Sequence, residues 1–379
     1  MDPRPTDCYA GIARKLREDL MLRIASIGCG DIAQRRHIPQ LQALPNAELV
    51  AVAARSQSSA EACAQRFAVP HFAIPRATTD IDSLLDDKSI DAVMILTAPD
   101  SHYALAERAI RAGKHVLIEK PLVPTSAEAA ALLRCVQQAP NPITIFPLPH
   151  IESAEFHLLR HLIAGNAIGQ VTAVESHRSH RGPTHADWFY HRAQSSGGVL
   201  IDLGIYQLTA IATLFGPATS MTAACTRRFA TRKMDDGTII APDVEDSAML
   251  TLALADGAAA ALHATWNGYQ THHETRGRGL IIGREGILNF GVADGAVYLH
   301  RRDGDQAGLP PHTETTFDGL PAYRFEPTRT GSETIIGTFV EKILAGDTTT
   351  KNLEIQIHVL EIIEAAYATH ATRLTTSFS

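Results

Sequence analysis

Cysteine is scarce and unpatterned in this chain: Cys8, Cys29, Cys63, Cys135 and Cys225 are odd in number and form no CxxC. That excludes a disulfide framework and suits a reduced, cytoplasmic protein. Positive charge is also short, with 34 Lys and Arg against 41 Asp and Glu and a net charge of −7, so a basic footprint for nucleic acid is missing. No apolar run approaches the ~18 residues of a membrane helix. The first twenty residues, MDPRPTDCYAGIARKLREDL, lack an apolar h-region, and their acidic residues argue against a transit peptide. Met21 stands just before the first strand as an alternative start, which marks 1–20 as an extension. What is present is ordinary for a globular chain: 379 residues, 45% hydrophobic and 20% charged, enough for about two domains.

The pattern changes near residue 150. Before it, apolar runs at 22–28 (LRIASIG), 48–56 (ELVAVAARS), 71–74 (HFAI), 90–99 (IDAVMILTAP), KHVLIEK and PITIFPL alternate with helical stretches at 32–44, SSAEACAQRFA, DIDSLLDD, ALAERAIRAG and SAEAAALLRCVQQA. Strands apolar on both faces and separated by helices predict a doubly wound parallel sheet over 21–149. After it come a helix at 152–164, the strand VTAVESHRS and an amphipathic segment at 197–215. SMTAACTRR, DSAMLTLAL, AAALHATWNG, GLIIGREGILNFGV and GAVYLHRRD then follow without intervening helices. The expectation for 150–379 is an α+β domain with a mostly antiparallel sheet, a Gly/Pro/Thr-rich mobile loop at 303–332, and two terminal helices joined at Gly346-Asp347.

Gly28-Cys29-Gly30-Asp31-Ile32-Ala33 matches GxGxxA between the first strand and a helix, the context in which that motif binds a dinucleotide. Gly28 permits the tight turn, Gly30 lets backbone approach the pyrophosphate, and Ala33 permits close packing. Where an acidic residue would bind the ribose of NAD, this chain has Ala53-Ala54-Arg55-Ser56. Arg55 and Ser56 suit a 2′-phosphate, so NADP(H) is favoured, with NAD(H) as the alternative. Ligands collect beyond the carboxyl ends of such strands. Those ends also hold Thr97-Ala98-Pro99-Asp100-Ser101-His102 and Glu119-Lys120-Pro121, so Thr97, Pro99, His102, Glu119 and Lys120 join the cofactor candidates, with Lys120 toward the nicotinamide.

GxGxxA, TAPDSH and AGKHVLIEKPL together resemble the glucose–fructose oxidoreductase and inositol dehydrogenase (Gfo/Idh/MocA) family, whose hallmark is EKP. ADWFYHRAQSSGGVLIDLGIYQL (186–208) extends the resemblance over nearly the whole chain. It implies a Rossmann domain, a C-terminal domain with an open-faced sheet, hydride transfer between C–OH and NAD(P), homodimers or homotetramers built on that sheet, and a cis bond before Pro121. Two departures matter. Many members have histidine four residues after the motif aspartate; here Asp202 is followed by Tyr206, a D-x-G-x-Y pattern similar to the dihydrodiol dehydrogenase and NADP-dependent xylose dehydrogenase branch, where tyrosine is the proposed acid/base. At 147–152, Pro-Leu-Pro-His-Ile-Glu replaces arginines of many relatives, so their substrate contacts do not carry over.

Carbonyl reduction needs a proton donor within hydrogen-bond reach. A free tyrosine titrates near ~10, and a neighbouring ammonium lowers that. Lys120 and Tyr206 are therefore the catalytic candidates, with Asp202, four residues from Tyr206, orienting Lys120 or substrate hydroxyls. His177, His180, His185 and His191 crowd one stretch and His272-His273 add a pair, but HExxH is missing and no metal site is expected. His185, Asp187 and Trp188 are instead expected to line a pocket for a small polar substrate, with Trp188 stacking on a sugar face. A catalytically silent NAD(P)-binding sensor is the competing reading. Lys120 and Tyr206 together favour the enzyme.

Overall fold

The computed structural model describes residues 21–69, 73–151, 153–268, 277–292, 294–301, 308–328 and 334–372. The extension 1–20 and His272-His273 lie outside the described residues. The chain divides into two compact units.

The first unit holds six parallel strands: β1 (Leu22–Ile27), β2 (Ala47–Ala53), β3 (Arg76–Thr78), β4 (Ala92–Ile95), β5 (His115–Ile118) and β6 (Ile145–Pro147). Their order, β3-β2-β1-β4-β5-β6, is doubly wound, with the switch point between β1 and β4. β4 is buried at every position, as a strand covered on both faces must be. Of the expected third strand HFAI, His71 and Phe72 lie outside the described residues, and Ala73 and Ile74 belong to no strand. Ile74 is exposed, and the three residues that pair with Ala51–Ala53 are Arg76–Thr78. An edge strand this short follows the ladder beside it rather than its own apolarity.

The helix Ile335–Leu344, capped by Thr334, belongs to this unit. Its Ile336, Phe339 and Val340 are fully buried against Met94, Leu117 and Phe146, each side chain worth roughly 1.5–3 kcal/mol. The unit is therefore not one continuous stretch of chain. Conversely, Val123–Ala130 groups with the second unit, where the Ser126 backbone N–H and hydroxyl donate to the Glu364 carboxylate at 2.7 and 2.6 Å.

The second unit is built on nine strands: β7 (Val171–Ser179), β8 (Ala218–Thr226), β11 (Ser247–Leu254), β12 (Ala259–Thr265), β13 (Arg278–Gly283), β14 (Gly286–Phe290), β15 (Val297–Arg301), β16 (Thr313–Phe317) and β17 (Leu320–Phe325). The short pair β9 (Arg232–Lys233) and β10 (Ile239–Ile240) stands apart. The nine run β16-β17-β15-β14-β13-β7-β12-β11-β8, and only β7 and β12 pair in parallel. β16 and β17 form a hairpin inside the stretch expected to be a loop; 302–307 and 329–333 lie outside the described residues. Residues of β11 alternate between buried and exposed, which leaves one face open, with Met249 exposed on it.

One described helical run, Arg192–Phe215, has the length and mean apolarity of a membrane span, although polar residues interrupt it. Ser196 in the left-handed region (φ 66°) breaks it, and 67% of its most apolar window is buried, so it reads as a core helix.

Candidate functional site

In the first unit the phosphate-loop candidates sit at the switch point. Gly28 has φ 111°, and a Cβ there would lie 2.5 Å from the Leu96 carbonyl oxygen, so only glycine fits between β1 and the end of β4. Its N–H donates to Ala53 O at 2.8 Å, tying the turn to β2. Gly30 is exposed, with nothing within 4 Å of where a Cβ would stand, and Asp31 and Ile32 are exposed beside it. Buried Ala33 starts a π-helical turn, Ala33–His37, that runs into the helix Ile38–Gln42. The helix itself opens at Asp31, and Gln34 N donates back to Gly30 O at 3.1 Å, so the loop runs directly into a helix N-terminus, the place where an anion is held. Arg55 is exposed at the end of β2. Ser56 caps the helix Gln57–Arg66 by accepting from Ser59 N at 3.2 Å, so its hydroxyl already has a structural duty.

Beyond β4 and β5 the strand ends are clasped together. Thr97 accepts from the Ser101 hydroxyl at 2.7 Å, and Pro99 is buried in the turn that opens the helix His102–Arg111. The His102 ring is fully buried, with Nδ1 2.8 Å from Pro121 O and Nε2 3.0 Å from Thr97 O. Burial pushes its pKa down against the two carbonyls, which draw it up, and with both nitrogens engaged by main chain the ring straps the two strand ends together. Glu119 also points inward. Its carboxylate is 2.8 Å from His37 Nε2 and accepts from Lys120 N at 2.6 Å. Burial alone would raise its pKa; the His37 contact and the Lys120 charge outweigh that and hold Glu119 below the usual carboxylate range. Both residues expected at the cofactor thus fix the strand ends. Lys120 is half-buried above them, followed by a cis bond to Pro121.

In the second unit a π-helical turn, Leu200–Gly204, carries Asp202 and leads into the helix Ile205–Phe215 with Tyr206. π turns recur at functional sites. The two preceding glycines are obligatory: a Cβ on Gly197 would meet the Tyr367 hydroxyl at 2.1 Å, and one on Gly198 the Glu245 carbonyl oxygen at 2.0 Å. Asp202 Oδ2 accepts from Trp266 Nε1 and contacts His180 Nε2, both at 3.0 Å. Gly182 N donates to His180 Nδ1 at 2.9 Å, which leaves the ring proton on Nε2, facing the carboxylate. Tyr206 has the Arg178 guanidinium over its ring, 4.4 Å from the centroid. His180, Trp266 and Arg178 were not singled out as site residues from sequence. Their visible signals were the crowded SHRSHRG run and the second of the chain's two tryptophans, whose N–H needs an acceptor when buried.

His185, Asp187 and Trp188 fall in and just before the turn Asp187–Tyr190. His185 and Asp187 are exposed, while Trp188 stacks on Phe189 at 3.8 Å and so has one ring face occupied. The tryptophan bonded to Asp202 is Trp266. Among the described residues no group of three His, Cys, Asp or Glu side chains is arranged to hold a metal ion.

Residues 22–146 match the model for an oxidoreductase family with an NAD-binding Rossmann fold, and 156–289 match that for the GFO/IDH/MocA C-terminal domain. A dTDP-3,4-didehydro-2,6-dideoxy-α-D-glucose 3-reductase of Streptomyces violaceoruber is 36% identical over 216 residues, 57% of this chain and 61% of the relative. An uncharacterized oxidoreductase of Synechocystis is 28% identical over 286 residues, 74% of each chain. The chain spans 61%, 54% and 54% of the length of three curated relatives it matches. Among solved structures, levoglucosan dehydrogenase with NADH and levoglucosan superposes with a TM-score of 0.74 at 20% identity, covering 93% of this chain and 97% of that one. A 3-ketoreductase from Actinomadura kijaniata with TDP-benzene and NADP gives 0.65 at 20% identity, covering 92% and 97%. These likenesses show a shared fold. With both family models matched in sequence order, the chain belongs to the Gfo/Idh/MocA family of oxidoreductases.

Proposed function

We propose that this chain is an NADP(H)-dependent oxidoreductase that moves a hydride between the nicotinamide and a hydroxyl or carbonyl carbon of a sugar, cyclitol or related polyol. The observation that carries the reading is Lys120, presented at the end of β5 by a buried, ionised Glu119 in a sheet whose phosphate loop is open at Gly30. Gly28, Gly30, the helix start after them and Arg55 would hold a dinucleotide. When bound, that cofactor supplies or accepts the hydride. Lys120 hydrogen-bonds the reacting oxygen and stabilises negative charge on it. Tyr206 exchanges the proton, the role that the D-x-G-x-Y resemblance implies for it. Asp202, with its two donors in place, binds substrate hydroxyls. Relatives named as a deoxysugar 3-reductase and a levoglucosan dehydrogenase support a sugar ring as the substrate class.

Fluorescence titration with NADPH and NADH, followed by a screen of sugars and their keto forms at the nicotinamide absorbance, tests this. Absence of NADPH binding sinks it. Arg55→Ala is expected to weaken NADPH about 10–100-fold, the worth of one charge-assisted pair to a 2′-phosphate, and NADH no more than about twofold. Equal weakening would reject the assignment of Arg55.

The open face of the second sheet, with a cavity of about 750 Å³ lined by Met249, Phe290, Phe317 and His263 among others, suits a second copy of the chain as its cover. Sedimentation velocity reading only monomer at micromolar concentration would overturn that. A reducing cytoplasm suits the four described cysteines, all free thiols.

A further inference from the structure

We propose that His37 is a positioning residue for Lys120, acting through Glu119; this rests on the catalytic reading of Lys120. The two oxygens of Glu119 have separate duties: Oε1 is 2.8 Å from His37 Nε2, and Oε2 accepts the Lys120 backbone N–H at 2.6 Å. Fixing one oxygen therefore fixes the other, and with it the plane of the peptide from which the Lys120 side chain leaves. The His37 ring is wholly buried and the Glu119 side chain 10% exposed, so water does not compete for the contact.

The π-helical turn Ala33–His37 places that ring, carrying one residue more per turn than an α-helix would just after the phosphate loop. His37 Nδ1 has no hydrogen-bond partner among the described atoms. A protonated Nδ1 would be a buried donor with nothing to accept it, so the neutral tautomer with its proton on Nε2 leaves least unpaired. The ring then has one N–H, and it is spent on Glu119. His102 differs, because both its nitrogens face main-chain carbonyls, one of them Pro121 O. His102 holds the backbone after Lys120 and His37 the carboxylate before it. The same helical run starts at the phosphate loop and ends its π turn at His37, so the lysine's support and the anion site share one element.

A bland alternative is that His37 only keeps a buried carboxylate from standing alone. Four measurements on the full chain separate the two. His37→Ala is expected to keep NADPH affinity within threefold while lowering kcat on the sugar found active at least tenfold. It should also change the rate at which sulfosuccinimidyl acetate acylates Lys120 at least threefold, read by peptide mass spectrometry on the NADPH-loaded protein. His37→Gln, whose amide can donate to Glu119, should bring both back to within threefold of the starting protein. His37→Ala combined with Glu119→Gln removes the lone buried charge, so its denaturation midpoint should recover while kcat and labelling stay altered. Recovery of kcat and labelling together with stability would show charge neutralisation alone and overturn the proposal, as would unchanged kcat and labelling in His37→Ala. A protein inactive on every sugar fails the catalytic reading of Lys120, whereas the labelling rate still reports whether His37 holds it.

Discussion

Lys120→Ala is expected to lower kcat by about 10²–10⁴, the usual span for loss of a group that stabilises charge or transfers a proton in the transition state. NADPH affinity should stay within threefold, because the phosphate loop and Arg55 lie on β1 and β2 while Lys120 follows β5. The size of the effect follows from how the residue is held. Here the neighbouring carboxylate, Glu119, faces inward, with one oxygen on His37 and the other on the Lys120 backbone N–H. Glu119 therefore holds the backbone from which the lysine leaves. Lys120→Arg keeps the charge but replaces a compact ammonium with a planar fork, and is expected to recover less than a tenth of the activity. Steady-state kinetics with saturating NADPH checks both. A Lys120→Ala protein within threefold of the original kcat would end the catalytic reading and favour a ligand sensor on the same fold.

Lys120 was legible in sequence because a charge after the apolar run His115-Val116-Leu117-Ile118 breaks the rule for buried strands. β7 coincides with the run VTAVESHRS, which opens on the β-branched residues Val171, Thr172 and Val174. His37 was not legible. It lies within a stretch that reads as plain helix, the π turn that swings it inward leaves no compositional mark, and its partner is 82 residues away. Asp202 could be named from its motif, but its donors could not, because Trp266 and His180 reach it across 64 and 22 residues of chain. Arg178 over the Tyr206 ring could not be named from sequence either, because it joins a strand, β7, to the separate helix Ile205–Phe215. The β16–β17 hairpin was missed for a local reason: TETTF is mostly polar and Pro321 sits early in its partner, so neither reads as a core strand.

Glu245→Ala is expected to cost the second unit about 3 kcal/mol and to lower activity with it, although Glu245 is a buried residue that no motif marks. Its carboxylate, 5% exposed, accepts from Gly198 N at 3.1 Å, Leu200 N at 3.0 Å and the Tyr367 hydroxyl at 2.8 Å, with Arg192 at 3.5 Å. Truncation strands two backbone donors and one phenol in a site water does not reach, each worth about 1–3 kcal/mol when left unpaired, less what the removed charge regains in hydration. The two backbone donors, Gly198 and Leu200, lie just before and at the start of the π turn that carries Asp202, so its orientation fails when they are released. The pH dependence has a definite sign. Burial pushes Glu245 above the usual carboxylate range despite the Leu200 N–H and the Tyr367 hydroxyl. A raised native pKa means stability present below the unfolded value of ~4.3 and lost as pH rises through the native one. The gap between the original protein and Glu245→Ala should therefore widen as pH falls from 7 toward 4. Urea titrations followed by tryptophan fluorescence, which Trp266 in this unit reports, measure it. A Glu245→Ala protein as stable as the original at pH 7 would show that the glycine turn holds itself, and a gap that narrows on acidification would show that the carboxylate is ionised more readily in the fold than in the unfolded chain.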